Sequence, residues 1–227
     1  RGAHDTAPDT SADLPFAARV KAIFRNRVWL VCTASYVAYT FAMGILGAWA
    51  PTLLQRRFHV GVTQAGLVFG GFALVTGILG TFLGGFLTDR LQRRWPDAGL
   101  WISGLTLVAA APVVAWALHA GTLAAAYPLF FLGMLLLFVN TSPVNALTVS
   151  CLPASVRATG TALNVFFIHI LGDAISPELA GHRADALQAA GLAPGPAMAR
   201  AMVYAVPAIL LSGLVLAEVT RDLLPMR

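Results

Sequence analysis

Long stretches without a charged side chain follow one another along the chain. Residues 28–55 contain no Asp, Glu, Lys or Arg, and neither do residues 58–88. Each stretch can hold one helix through a bilayer core, which takes about 20 apolar residues. A third stretch, residues 98–156, would be about 88 Å long as one helix, whereas the core is about 30 Å thick. The third stretch must therefore fold back, and we place the turn at residues 119–122.

The whole pattern predicts an all-α membrane protein with six transmembrane helices. Of the 227 residues, 58% are apolar and 11% are charged, and the mean hydropathy is +0.75. A soluble domain carries about 25% charged residues, and disordered chains are polar, so neither class fits. The predicted spans are approximately residues 28–55, 60–88, 98–118, 123–150, 156–177 and 198–217.

Basic residues indicate how the six helices are oriented. Eleven of the fifteen Lys and Arg residues fall on one side of the predicted bundle and four on the other. Because cytoplasmic loops are rich in Lys and Arg, both termini are predicted to be cytoplasmic. The net charge of +5 is then a topology signal, and no nucleic-acid partner is expected. We expect an integral, multi-pass protein of a bacterial inner membrane or a plasma membrane.

Both ends of the chain are predicted to lie outside the bundle. Residues 1–27 form a cytoplasmic tail and a basic amphipathic helix, residues 28–222 the bundle, and residues 223–227 a cytoplasmic C-terminus. Asp13 is the expected cap of the amphipathic helix. This helix either lies on the cytoplasmic leaflet or is an ordinary positive-inside anchor. Its apolar face consists of Phe16, Val20, Ile23 and Phe24. Because the chain begins with Arg, we expect a fragment or a cleaved part.

The second span is rich in glycine and ends in a charged motif. Its pairs Gly66/Gly70 and Gly80/Gly84 allow close helix packing, or a surface that moves against a neighbouring bundle. The motif reads Gly85-x-Leu87-x-Asp89-Arg90-x-x-Arg93-Arg94. It resembles the cytoplasmic loop motif of the major facilitator superfamily, with Gln92 in place of one glycine. The resemblance implies a gating latch, in which Asp89 accepts from a helix N-terminus across the bundle. Simple positive-inside charges are the alternative.

Polar side chains interrupt the fourth and fifth spans. The segment 140–145 reads Asn-Thr-Ser-Pro-Val-Asn, which indicates either a kinked helix with amides bonded across the bundle or the wall of a cavity. In the fifth span His169 and Asp173 lie four residues apart, on one helical face. An Asp inside a span is costly unless it is paired or faces water, so it is a functional hypothesis. A buried structural His–Asp bond is the alternative.

Three segments carry a more specific resemblance. They are Pro143-x-Asn145-Ala146, Pro153-x-x-x-Arg157 and Ala162-Leu163-Asn164-x-Phe166-x-Ile168-His169-x-x-Gly172-Asp173-Ala174-x-Ser176-Pro177. Together they resemble the Spinster family of the major facilitator superfamily. The resemblance covers residues 20–222 and only the C-terminal six-helix half of that family, which implies that an N-terminal six-helix half is the partner of this chain.

The Spinster resemblance implies an alternating-access secondary transporter in the membrane. Its implied substrates are lysolipids of the lysophospholipid or sphingosine-1-phosphate type, with proton coupling. The first and fourth helices would line the cavity, and the second and fifth would meet the other half. The implied substrate-binding residues are Tyr36, Tyr39, Phe41, Asn140, Thr141, Asn145, Asn164 and His169. The implied proton-coupling residues are Asp173 and His169, and the implied gating residues are Gly85, Asp89, Arg90, Arg93, Arg94 and Arg157.

Other functional classes lack their motifs. The chain has no Gly-x-Ser-Gly of rhomboid-like proteases, no phosphate-binding glycine loop, no paired Asn-Pro-Ala boxes and no metal-ligand spacing. No enzymatic activity, cofactor or metal is therefore expected. An exporter of amphipathic drugs and a non-transporting lipid-sensing membrane protein stay as alternatives.

Overall fold

The computed structural model describes residues 15–223, with side chains up to residue 218. All regular structure in this range is helical, which confirms the predicted all-α fold. The expected cap Asp13 and residues 224–227 lie outside the described residues. A π-helical segment, Ile168–Asp173, joins α7 to α8. The helices are α1 (Phe16–Phe24), α2 (Arg27–Phe58), α3 (Val62–Gln92), α4 (Ala98–His119), α5 (Leu123–Val139), α6 (Thr141–Ser150), α7 (Ala154–Phe167), α8 (Ser176–Ala189), α9 (Pro194–Met202) and α10 (Ala205–Leu223).

Six helical stretches of the described chain are long and apolar enough to cross a membrane. Three are the single helices α2, α3 and α4, and the others combine α5 with α6, α7 with α8, and α9 with α10. Side chains define several helix ends. Asn26 accepts from the Trp29 N–H at 3.0 Å to cap α2, and Thr122 accepts from the Ala125 N–H at 3.3 Å to cap α5. His59 adopts a left-handed conformation, with φ of 56°, where α2 ends.

The spans pack in the order α3, α5, α4, α10, α2 and then the α7–α8 span, with a smaller contact between α2 and α3. The two ends of this order are the least covered parts of the bundle. In the most apolar part of α3, 17% of residues are buried, and in that of the α7–α8 span 22%, against 50% for α2. These two spans are the ones that the resemblance assigns to a contact with a second half.

The amphipathic helix α1 packs against the bundle at one end only. Ile23 is fully buried beside Trp29, Leu152 and Val156 in a small apolar cluster of its own. Phe16 at the other end is 71% exposed. The C-terminal turn of α1 is therefore held against α7, and contact of its first turn with the cytoplasmic leaflet stays a prediction.

Candidate substrate site and gating surface

Helices α2 and α6 build a polar cluster from three of the predicted site residues. Asn145 Nδ2 donates a hydrogen bond to Tyr36 Oη at 3.1 Å. The rings of Tyr36 and Tyr39 stack with their centroids 5.4 Å apart and their planes 9° from parallel. Both tyrosines are buried, whereas Asn145 is exposed. We term this set the tyrosine–asparagine cluster, because it presents an accessible amide in front of two covered aromatic rings.

Pro143 breaks the fourth span just before this cluster. Because proline has no N–H, the Val139 carbonyl loses its usual helical partner, and the structure passes from α5 to α6 at Asn140. Gly84 of α3 lies directly against the freed Val139 oxygen. The kink therefore coincides with the closest approach of α3 and the fourth span.

Asn140 and Thr141 lie at this kink and make no hydrogen bond to the tyrosine–asparagine cluster. Asn140 is buried and donates to the carbonyl of Leu137 in its own span. Thr141 Oγ1 lies 3.0 Å from Thr81 Oγ1 of α3. The polar side chains of segment 140–145 therefore contact two different helices, since Asn145 faces α2 and Thr141 faces α3. Substrate contact by Asn140 and Thr141 stays a prediction.

Phe41 and Asn164 also lie apart from the cluster. Phe41 lines a separate groove between α2, α8 and α10. Asn164 is buried, and its Nδ2 donates to Thr33 Oγ1 at 3.0 Å, which joins α7 to α2. Within the described residues neither makes a hydrogen bond or ring contact with the tyrosine–asparagine cluster, and their substrate roles stay predictions.

His169 and Asp173 form a pair on the exposed side of the π-helical segment. His169 Nδ1 lies 3.0 Å from Asp173 Oδ2 and 3.2 Å from Oδ1. The side chains are 61% and 41% exposed, so this pair is not a buried structural bond. The Ala174 N–H donates to the His169 carbonyl at 2.9 Å, five residues back, which widens the helix at this point. Such π segments are frequent at functional sites.

Small residues to which the sequence analysis gave no packing role hold this segment against α2. A Cβ on Gly44 would lie 2.9 Å from Asp173 Cα, and one on Gly172 would lie 2.9 Å from Thr40 Cβ. Thr40 Oγ1 also donates to the Ile168 carbonyl at 3.0 Å. Two facing glycines, one on each helix, were the available signal for this contact. The base of the Asp173 side chain belongs to this contact, since a Cβ on Gly44 would also lie 3.1 Å from Asp173 Cβ, while the imidazole and the carboxylate stay partly exposed.

The gating motif lies at the end of α3 and is open. Gly85 packs closely, since a Cβ there would lie 3.1 Å from Ser142 Oγ. The charged side chains of the motif are exposed, and they make no hydrogen bond or ion pair with the described side chains and backbone: Asp89, Arg90, Arg93 and Arg94. Arg157 Nη2, in the first turn of α7, donates to the carbonyl of Leu152 just before that helix at 3.2 Å. The expected contact of Asp89 with a helix N-terminus is therefore not made by the described part of this chain.

Comparison with known proteins decides the family. The sequence model of the Major Facilitator Superfamily matches residues 2–177. The chain belongs to the major facilitator superfamily. Among its relatives are the "Probable sphingolipid transporter spinster homolog 3" of Arabidopsis thaliana, 33% identical over 169 residues, and "Protein spinster homolog 3" of Mus musculus, 34% identical over 186 residues. The predicted Spinster resemblance is confirmed, and members of this family are transporters and not enzymes.

This superfamily member spans only part of those relatives. The matched regions make up 73% and 75% of this chain but 32% and 36% of the relatives. Its fold also matches the crystal structure of a bacterial homologue of the human lysosomal transporter Spinster, inward-facing and unoccupied, with a TM-score of 0.69 and 18% identity. That match covers 96% of this chain and 50% of the solved chain. The six helices therefore have the fold of half a Spinster-type protein.

Proposed function

We propose that this chain is one six-helix half of an alternating-access transporter for lysolipids. The tyrosine–asparagine cluster carries the proposal, because it combines an accessible hydrogen-bonding amide with two aromatic rings directly behind it. A lysolipid has a polar headgroup, which can accept from Asn145, and a single acyl chain, which can lie along the apolar wall. Two Arabidopsis relatives are named probable sphingolipid transporters, which supports a lysophospholipid or sphingosine-1-phosphate type of substrate.

The exposed faces of α3 and the α7–α8 span are proposed to meet an N-terminal six-helix half. Gly66, Gly70 and Gly71 support this assignment, since a Cβ at any of them would meet nothing within 4 Å. Close approach of a second bundle is a physical reason for glycines on an uncovered helix face. Asp89 and the arginines of the motif would then find their partners across that contact, with both termini in the cytoplasm.

Proton coupling is proposed for the exposed His169–Asp173 pair. Gain of a proton by either group changes the charge of the pair on the face that would meet the second half. A proton shifts the balance between inward-open and outward-open forms only if it binds the two forms with different affinity. The pair lies on an exposed face of the α7–α8 span, which we assign to the contact with the second half. We infer that this position makes the proton affinity of the pair differ between the two forms.

Substrate contact is tested with this chain together with the N-terminal six-helix half in liposomes, by uptake of radiolabelled lysophospholipid or sphingosine-1-phosphate. We expect Asn145→Ala to raise KM about fivefold, since a lost hydrogen bond is worth about 1 kcal/mol. Ser150→Ala, also exposed on α6, is the matched control and should leave KM unchanged. Equal KM values for both variants would remove Asn145 from the site. Binding of the lysolipid without counterflow would favour the lipid-sensing protein. Stronger competition with uptake by a cationic amphipathic dye than by unlabelled lysolipid would favour the drug exporter.

Proton coupling is tested by the pH dependence of the same uptake between about pH 5 and pH 8. Asp173→Asn removes the titratable carboxylate, and we expect it to flatten the profile. Glu178→Gln, an exposed carboxylate on α8, is the matched control and should keep it. An unchanged profile in Asp173→Asn excludes this residue from coupling.

A further inference from the structure

A groove of about 710 Å³ runs along the outside of the bundle between α8 and α10, with α2 as its floor. One part of its lining is polar and another is apolar. The polar residues are His182, Arg183 and Tyr204, and the apolar ones include Phe41, Leu179 and Leu211. None of these residues other than Phe41 belongs to the candidate substrate site.

The polar part lies near the end of the bundle that carries the α8–α9 loop. Gly195 at the start of α9 packs against the backbone of Arg56 and Arg57, so this loop lies at the C-terminal end of α2. Arg183 is six residues before the end of α8, or about 9 Å along the axis. Phe41 is 17 residues before the end of α2, or about 26 Å. The groove thus runs from near one membrane interface toward the middle of the spans.

The polar end of the groove carries a positive charge that is accessible to a ligand. The Arg183 side chain is exposed and makes no hydrogen bond or ion pair with a residue of the described chain. No acidic side chain lines the groove, although Glu178 and Asp185 lie elsewhere on α8. A guanidinium matches the geometry of phosphate oxygens, and the Tyr204 hydroxyl is a second donor. A phosphate is therefore the anion that suits this end.

The α10 wall of the groove faces away from α3, and we take this wall to face lipid. α10 packs against α4 and α2, on the side of the bundle away from α3. Leu211 and Leu214 of α10 are 56% and 57% exposed, as expected for side chains in contact with hydrocarbon. We propose that the groove binds one anionic phospholipid, with its phosphate on Arg183 and Tyr204 and an acyl chain along Phe41 and Leu211. This site is separate from the tyrosine–asparagine cluster and does not depend on transport.

The proposal is tested by native mass spectrometry of the detergent-purified protein titrated with dioleoylphosphatidylglycerol or dioleoylphosphatidylcholine. We expect a preferred first phosphatidylglycerol adduct, and about fivefold weaker binding of it in Arg183→Gln, which corresponds to about 1 kcal/mol for one basic residue near the headgroups. Arg200→Gln is the matched control, because Arg200 is exposed at the same end but does not line the groove. This control should bind phosphatidylglycerol as the wild type does.

A second variant tests the acyl-chain part of the groove. Ala208 lines the groove on α10, and Ala208→Trp should reduce binding of both lipids because its ring occupies the space of the chain. Unchanged binding in Ala208→Trp would mean that the lipid is only annular, which overturns the proposal. Equal losses in Arg183→Gln and Arg200→Gln, or no loss in either, would overturn it as well.

Discussion

Gly84 is the position where α3 meets the backbone of the fourth span. A Cβ at this position would strike the Val139 carbonyl oxygen and would lie 2.9 Å from the carbonyl carbon and 3.3 Å from Cα. These are backbone atoms, so no side-chain rotation can relieve the contact. Gly84→Ala must therefore push α3 away from the kink above Pro143.

Two opposing terms set the size of the effect. Alanine is favoured over glycine in a helix by about 1 kcal/mol. Overpacking lowers the free energy of unfolding by about 1–3 kcal/mol, and we use the upper limit of about 3 kcal/mol because the added Cβ collides with backbone atoms. The net loss is about 2 kcal/mol, which corresponds to a Tm lower by about 4–8 °C in a protein of this size. Gly70→Ala is the matched control, since its Cβ would meet nothing within 4 Å and only the helix term applies.

Gel filtration of the detergent-solubilised protein after heating at a series of temperatures measures both variants. We expect Gly84→Ala to melt below the wild type and Gly70→Ala to melt at or above it. Equal melting temperatures for the two variants would show that the contact of α3 with Val139 does not restrict the helix packing, and would refute the reasoning. Normal stability with reduced uptake in Gly70→Ala would further support a second bundle on that face.

Two other predictions concern bonds between spans. Arg57 donates to two backbone carbonyls at the end of α4, at 2.7 and 3.1 Å, so Arg57→Gln should lower the free energy of unfolding by about 1 kcal/mol. Arg56 makes no such bonds, so Arg56→Gln should leave the free energy of unfolding unchanged. Equal stability of the two variants would contradict this prediction. Asn164→Ala and Thr33→Val should show a coupling energy of about 1 kcal/mol in a double-mutant cycle of unfolding, and additive effects would exclude a coupled bond.

Local rules predicted some parts of the candidate site and not others. Pro143 indicated the kink because the missing N–H is a property of the residue itself. His169 and Asp173 were correctly placed on one face by their spacing. The π-helical segment was not foreseen, because it coincides with a contact between Gly172 and Thr40 of another helix, which spacing within one helix does not reveal. Phe41 was grouped with Tyr36 because the resemblance assigns the first helix to the cavity wall. Five residues are about 140° of helix rotation, so the two side chains point to different sides of α2.

The sequence by itself determined the class of the protein, the number of membrane-length helices and the family. In lipid every backbone polar group must be bonded within the protein, so apolar stretches of sufficient length become helices whatever their neighbours are. Only the tertiary structure decided that Gly84 is packed and Gly70 is open, and that Asn164 is bonded internally while Asn145 is accessible. The physical reason is that lipid chains are as apolar as leucine, so hydropathy cannot distinguish a face covered by protein from one covered by lipid.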